Sequence, residues 1–138
     1  MRILNVNATL DPVTGGGTAE RTIQMSRALR TAGVDCSILT TNIGLSVDSA
    51  LGLDGVYVTA FRCLSQRYFI PLARYKTIKR VVEGADVVHL MGHWTVLNAL
   101  VNSSAACSGM WTLLRVTAPA EGRPKWWRAR SFVCAGQR

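Results

Sequence analysis

The sequence predicts an α/β fold in which helices cover a parallel, doubly wound sheet. Segments with apolar residues at helical spacing alternate with short apolar runs, and glycines mark several of their ends. Strands that alternate with helices form right-handed crossovers, which give a Rossmann-like sheet. The runs that suit buried strands cover residues 3–8, 35–41, 56–61 and 86–90.

The first predicted strand leads into a glycine-rich turn. Gly15, Gly16 and Gly17 follow one another and make the backbone there permissive. We expect Thr18 to cap the helix that begins after them, because a threonine hydroxyl can accept from the first backbone N–H groups. Gly33 is the expected end of this helix, before the second strand.

The remaining elements continue the same alternation. A glycine-bearing connection over residues 44–55 precedes the third strand. Pro71 lies where a helix could begin, and Gly84 marks the expected end of that helix. The fourth strand is followed by one more helix, and residues 110–116 suit a fifth strand. The helix after the fourth strand is marked by Val96, Leu97, Leu100 and Val101.

Composition limits the class of protein. The chain has 138 residues, of which 49% are apolar and 17% charged, so we expect one globular domain. The apolar stretch over residues 87–101 is too short and too often interrupted for a membrane span. The four cysteines form no C-x-x-C pair and no zinc-like cluster. We therefore expect a cytoplasmic protein with reduced thiols and no bound metal.

The net charge of +8 is unevenly distributed. Residues 1–104 carry ten basic and seven acidic side chains, whereas residues 105–138 carry six basic and one acidic. The excess charge therefore lies mainly in the last quarter of the chain. We therefore expect no nucleic-acid partner for the predicted domain, although a basic surface attracts phosphates in general.

In a doubly wound sheet, ligands bind beyond the carboxyl ends of the strands. Residues 14–18 and 91–94 are the two loops predicted there. Three glycines before a helix can hold a phosphate or a sugar hydroxyl on backbone N–H groups. A dinucleotide fingerprint beginning at Gly15 fails because its last position is Glu20, and no lysine of a phosphate-binding P-loop precedes Lys76. A plain structural turn is the alternative for these glycines.

The second loop contains His93 and Trp94 beside a glycine. An imidazole at a strand end can exchange hydrogen bonds with a sugar hydroxyl or a carbonyl, and an indole ring can stack on a sugar. The alternative is that Trp94 anchors the next helix. His89 is more simply explained as a packed residue inside the fourth strand.

Several of these segments together resemble the family 4 glycosyltransferases. The similar segments are P-V-T-G-G-G-T-A-E-R, A-L-R-T-A-G-V-D, S-I-L-T-T and A-D-V-V-H-L-M-G-H-W, and the resemblance covers residues 2–104. It implies the N-terminal half of a GT-B fold, in which two Rossmann-like domains face each other across a cleft. It also implies metal-independent transfer from a nucleotide-sugar donor, with retention of anomeric configuration, in polysaccharide or glycoconjugate synthesis.

By this resemblance, the glycine loop and Thr18 would bind substrate near the donor phosphates and the acceptor. His93 would be catalytic, and Trp94 would line the acceptor side. Many family members have H-x-H-G at the end of strand four, but Met91 occupies the position of the second histidine here. The resemblance implies a sugar or lipid-linked acceptor, with the donor bound through a C-terminal domain that this chain lacks. We therefore expect the chain to be inactive alone.

The resemblance stops near Ser104. Residues 105–138 are basic and tryptophan-rich, and we interpret them as a separate tail, translated out of frame. The alternative interpretation is a non-catalytic module in which the glycine loop holds an anion and the tail contacts nucleic acid or makes peripheral contact with a membrane.

Overall fold

A five-stranded parallel sheet forms the centre of the molecule. The computed structural model describes residues 1–45, 53, 55–92, 95–107 and, for the backbone alone, 111–114. The sheet strands are β1 (Arg2–Val6), β2 (Asp35–Thr41), β3 (Tyr57–Phe61), β6 (Val87–Leu90) and β7 (Trp111–Leu114). A separate antiparallel hairpin consists of β4 (Cys63–Ser65) and β5 (Ile70–Pro71). The helices of the described residues are α1 (Pro12–Thr31), α2 (Tyr75–Glu83) and α3 (Val96–Cys107).

The strand order is β3-β2-β1-β6-β7, and all four pairings are parallel. Val6, at the end of β1, pairs with Leu39 on one side and Leu90 on the other. The order runs outward from β1 in both directions, so the chain reverses its course across the sheet at β1. The predicted doubly wound, Rossmann-like α/β fold is therefore confirmed.

The two faces of the sheet pack differently. One face is apolar: Leu4, Val88 and Leu90 lie in a fully buried cluster with residues of α2 and α3. Alternate strand residues point to the other face, where α1 packs and where several contacts are polar. Asn5 donates through Nδ2 to Ser26 Oγ at 2.8 Å and to Cys36 Sγ at 3.4 Å.

The predicted ends of two helices are confirmed. α1 stops at Thr31, and Gly33 follows it with a φ of 77°, a conformation that glycine adopts without strain. α2 stops at Glu83 with Gly84 as its C-cap.

Pro71 does not begin a helix, which corrects the prediction. It lies buried in β5, and α2 begins at Tyr75. The hairpin of β4 and β5 was missed because its strands have three and two residues, too few to show a period.

The predicted boundary after residue 104 falls inside a helix. α3 continues to Cys107, and β7 joins the sheet within the predicted fifth strand. Residues 115–138, which form most of the predicted tail, lie outside the described residues.

Candidate functional site

Folds of this type bind ligands in the crevice at the reversal point of the strand order, which lies here outside the carboxyl ends of β1 and β6. These strands are neighbours, and the strand order reverses between them. Side chains and helix N-termini converge at such a reversal point, whereas crossover connections leave it open. The predicted glycine loop follows β1, and the predicted His93–Trp94 loop follows β6, so the sheet brings both loops to one edge.

Hydrogen bonds fix the segment after β1 at the edge of the sheet. Asn7 donates through Nδ2 to Thr22 Oγ1 of α1 at 3.0 Å, and its Oδ1 accepts from the Ala8 N–H at 2.9 Å. The Thr41 hydroxyl donates to the Ala8 carbonyl at 2.6 Å. Thr9 Oγ1 donates to the Ile43 carbonyl at 2.8 Å, which links the loop after β1 to the loop after β2.

α1 begins at Pro12, which corrects the prediction that a helix starts only after the glycines. Asp11 is the N-cap, and its carboxylate accepts from the N–H groups of Val13 at 3.0 Å and Thr14 at 3.1 Å. Proline suits the first helical position because its missing N–H is not needed there. The Asp11-Pro12 pair is therefore a helix start.

The glycines lie within α1 instead of in a turn before it. Gly16 has φ 56° and ψ −145°, so the helix is interrupted there and resumes at Gly17. A Cβ added at Gly15 would lie 2.8 Å from both Ala19 Cβ and Thr9 Cγ2. Gly15 is thus required by packing, and Gly16 by its backbone conformation.

Neither packing nor backbone conformation requires a glycine at position 17. Its conformation is helical, and a Cβ added there would meet nothing within 4 Å. It borders an open groove of about 550 Å³ along α1 with Glu20, Arg21, Gln24 and Met25. Gly17 is exposed, and the helical segment resumes at its position.

Thr18 does not cap the helix, contrary to the prediction. Its hydroxyl donates to the Gly15 carbonyl at 2.8 Å instead of accepting from a backbone N–H. Its carbonyl accepts from Thr22 Oγ1 at 2.7 Å, and Thr22 in turn accepts from Asn7. Thr18 is thus connected to the segment after β1 through a chain of hydrogen bonds.

The Asp11 cap predicts a pH dependence of stability. Hydrogen bonds from the Thr14 side chain and the Val13 N–H hold the pKa of Asp11 below its ordinary value. Because this pKa is lowered by folding, the cap contributes fully above the pH where the unfolded carboxyl titrates, about 4. The contribution is lost as the pH falls through the lowered folded pKa.

We expect Asp11→Asn to be less stable than the wild type at pH 7, and the difference to shrink below about pH 4. Urea denaturation of both proteins between pH 7 and pH 2 measures the difference in the free energy of unfolding. A difference that stays constant down to pH 2 would contradict the cap.

The loop after β6 approaches the loop after β1. The Met91 N–H donates to the Val6 carbonyl at 2.8 Å, which continues the pairing beyond the strands. Asn98 donates through Nδ2 to the Gly92 carbonyl at 2.8 Å. A Cβ added at Gly92 would lie 3.7 Å from Asn98 Nδ2 and 3.9 Å from Asn7 Oδ1. The two loops therefore meet at two asparagines and a glycine.

α3 begins directly behind this meeting point. Thr95 Oγ1 accepts from the Asn98 N–H at 3.2 Å, which is the geometry of an N-cap. Asn98 is buried, and its Oδ1 has no hydrogen-bond partner among the described residues. Asn98 thus holds the Gly92 backbone and retains a spare acceptor.

The predicted site residues are only partly described. Gly15 packs against Thr9, and Thr18 is connected to Asn7 through Thr22, whereas Gly17 borders the groove along α1. Their predicted role in substrate binding stays a prediction. His93 and Trp94 lie outside the described residues, between Gly92 and Thr95. Their predicted roles in catalysis and acceptor binding stay predictions.

Sequence reasoning missed the two asparagines. Asn7 falls within the predicted strand over residues 3–8, and Asn98 falls within the interrupted apolar stretch over residues 87–101. The signal was present in their positions, directly after β1 and three residues after Thr95. Conversely, His89 is buried inside β6, opposite Asn5, as a packed strand residue would be.

The described residues hold neither a candidate metal cluster nor a helix that could cross a bilayer. Among them, no group of three or more His, Cys, Asp or Glu side chains is arranged to hold a metal ion. No helix of the described part is long and apolar enough to span a bilayer.

Comparison with solved structures relates the fold to known proteins. MurG of Acinetobacter baumannii matches with a TM-score of 0.65 and 14% identity, over 96% of this chain and 44% of that chain. Glycosyltransferase VinC, solved in complex with dTDP, matches with a TM-score of 0.50 and 13% identity, over 84% of this chain and 34% of that chain. Both are glycosyltransferases of the GT-B type. The chain has the fold of part of a GT-B glycosyltransferase.

At identities of 14% and 13%, the structural similarity shows a shared fold only. The chain spans less than half the length of either matched protein. No protein-family model and no curated protein sequence matches it. Membership of family 4 therefore stays a prediction that rests on the segments quoted above.

Proposed function

We propose that this chain is the acceptor-side domain of a nucleotide-sugar-dependent glycosyltransferase that acts in polysaccharide or glycoconjugate synthesis. The fold shared with part of MurG and VinC supports this proposal. The crevice outside β1 and β6 supplies the site, because it brings an exposed helix start and a polar loop to one edge of the sheet.

The accessible backbone at Gly17 is the observation that carries the proposal. Packing accounts for Gly15 and backbone conformation for Gly16, whereas neither accounts for Gly17. Close approach of a ligand explains a glycine at such a position. The N–H groups at the start of the resumed helix would donate to diphosphate or sugar oxygens, with the positive end of the helix favouring the anion.

The β6 loop supplies the acceptor side in this proposal. Asn98 holds the carbonyl of Gly92, the residue directly before His93 in the sequence. His93 would act as the catalytic residue and Trp94 would pack against the acceptor sugar. Met91 is buried, and in this proposal His93 would make the sugar contact in its place.

The reaction would be attack of an acceptor hydroxyl, from a sugar or a lipid-linked sugar, on the anomeric carbon of the donor. The bond to the nucleoside diphosphate breaks, and backbone donors at the crevice would stabilise the charge that develops on it. Most of the donor would bind a second Rossmann-like domain across the cleft. By the family resemblance, the transfer would retain anomeric configuration and need no metal.

Calorimetric titration tests the proposed binding. We expect UDP-glucose, dTDP-glucose or GDP-mannose to bind the purified chain weakly, together with a saccharide or octyl glycoside from an acceptor panel. NAD and NADP serve as controls and should give no heat, because the dinucleotide fingerprint fails at Glu20. Binding of NAD in preference to every nucleotide sugar would contradict the proposal.

A further inference from the structure

We propose that a groove at the amino edge of the sheet, opposite the crevice, binds an uncharged saccharide. This amino-edge groove has a volume of about 480 Å³, which lies within the usual range of small-molecule sites, about 300–1,000 Å³. Its lining includes Asp35, Ser37, Tyr57, Thr59 and Arg80, all of which are described. The inference does not depend on the proposed function, because these residues lie at the other edge of the sheet from the crevice.

The groove forms where one face of the sheet changes from apolar to polar. Leu39 of β2 is buried in the apolar cluster with α2 and α3. Ser37 lies two residues earlier on the same face and pairs with Tyr57 of β3. Thr59 pairs with Leu39, and both Ser37 and Thr59 are only half-buried. Because the end of α2 stands beside this polar part of the face, the two together form a groove instead of a flat surface.

The floor of the amino-edge groove offers hydroxyl groups that the fold does not use. Neither the Ser37 hydroxyl nor the Thr59 hydroxyl forms a hydrogen bond with another described residue. A hydroxyl both donates and accepts, so it suits the hydroxyls of a saccharide. Asp35 adds a carboxylate acceptor, and Arg80 adds a guanidinium donor. Paired strands lie about 4.8 Å apart and alternate residues of a strand about 6.7 Å apart, so one or two sugar rings would span these groups.

Apolar surface borders the polar groups of the groove. Tyr57 is 73% exposed, and Val81 and Ala85 line the wall at the end of α2. A tyrosine ring presents an apolar face with a polar hydroxyl at its edge. A sugar ring also has an apolar C–H face surrounded by hydroxyls, so it can stack on Tyr57 while its hydroxyls reach the floor. A purely apolar ligand fits less well, because it would cover the floor hydroxyls without pairing them.

The charges around the groove favour an uncharged ligand. Arg2 Nη2 pairs with Asp86 Oδ1 at 3.0 Å, and Arg30 Nη1 pairs with Asp35 Oδ1 at 3.6 Å. Arg80 is the one lining cation that has no ion pair with another described residue. A phosphate or nucleotide would therefore find a single uncommitted cation, and it would lie beside the Asp35 carboxylate. A saccharide needs donors and acceptors together, which this balance provides.

Mapping of amide chemical shifts during titration of the full chain tests the inference. The probes are maltotriose, cellotriose and mannotriose, which are neutral, and inorganic phosphate as the anion. We expect at least one of the saccharides to bind in the millimolar range or more tightly. The shift changes should concentrate in residues 35–37, 57–59 and 80–85, and phosphate should change these shifts little.

Two variants remove the groups on which the inference rests. Tyr57→Thr should weaken saccharide binding about tenfold, because the stacking surface is lost while a residue suited to a strand remains. Ser37→Ala with Thr59→Val should weaken it about fivefold, because both hydroxyls are removed and the side-chain volume is kept.

Tyr68→Thr is the matched control for Tyr57→Thr. Tyr68 is 56% exposed and lies between β4 and β5, outside the groove. The control should bind the saccharide as the wild type does. Both tyrosine variants should keep the wild-type midpoint of urea denaturation, because both side chains are exposed.

Three results would overturn the inference. Equal saccharide binding by Tyr57→Thr and Tyr68→Thr would show that the Tyr57 ring plays no part. Larger shift changes at the groove with phosphate than with every saccharide would indicate an anion site. No change at the groove with any of the three saccharides would mean that it is a solvated surface. Titration of the same variants with UDP-glucose separates these failures from failure of the proposed function, because that ligand is expected at the crevice.

Discussion

Gly44→Ala is expected to lower the free energy of unfolding by about 2–4 kcal/mol. Gly44 has a φ of 63°, which is unfavourable for any residue with a Cβ. In addition, a Cβ added there would lie 2.7 Å from Asp11 Cγ. Asp11 cannot withdraw without giving up its hydrogen bonds to α1, so the substitution also disturbs the helix start.

Gly33→Ala is the matched control for Gly44→Ala. Gly33 also has a positive φ, 77°, but a Cβ added there would meet nothing within 4 Å. Gly33→Ala should therefore lower the free energy of unfolding only by the cost of the backbone conformation, about 1–2 kcal/mol. Urea denaturation of both variants measures the difference. Equal losses would mean that the contact between Gly44 and the Asp11 cap has no energetic weight.

Gly17→Ala is expected to weaken nucleotide-sugar binding at least about tenfold while leaving the fold intact. The added methyl group would occupy open space in the folded chain, so no internal clash arises. Alanine also favours the helical conformation, so the free energy of unfolding should stay equal or rise by up to about 1 kcal/mol. Loss of binding with a gain in stability would separate a ligand role from a structural one.

Gly15→Ala is the contrasting variant. Its Cβ would clash with Ala19 and Thr9, so stability should fall by about 1–3 kcal/mol. Calorimetric titration and urea denaturation of both variants give the comparison. If Gly17→Ala binds nucleotide sugars as the wild type does, Gly17 plays no part in binding and the glycines are structural.

The sheet could be predicted because its strands depend on local pattern. Runs 35–41 and 86–90 have apolar residues at their centres, and a glycine lies two residues before each of them. The rule of right-handed crossovers then limits the topology. The convergence of the two loops also followed, since the carboxyl ends of parallel strands lie at one edge. What the pattern could not give was the pairing partner of each strand.

The details of the glycine loop depend on contacts between distant segments. Asp11 begins α1 because Gly44, from the loop after β2, allows close packing against it. Gly15 is tightly enclosed by Thr9 and Ala19, whereas Gly17 is open. Three identical residues in a row thus have three different environments. Only the tertiary structure separates them.

The buried asparagines illustrate the same limit. Asn7 and Asn98 are polar residues in segments that read as a strand and an apolar helix. Each is buried at the edge where β1 and β6 meet, and each satisfies backbone groups of a loop. The two asparagines support the crevice because β1 and β6 are neighbouring strands. The secondary-structure propensity of a residue gives no information about which strands are neighbours.

Mapping of amide chemical shifts during titration with a nucleotide sugar most directly tests the central claim that the crevice outside β1 and β6 binds ligand. We expect the largest changes in residues 7–18 and 91–98. Changes confined to the opposite edge of the sheet, around Arg2, Ser37 and Thr59, would contradict it. So would the absence of any change at millimolar nucleotide sugar, with and without an acceptor saccharide.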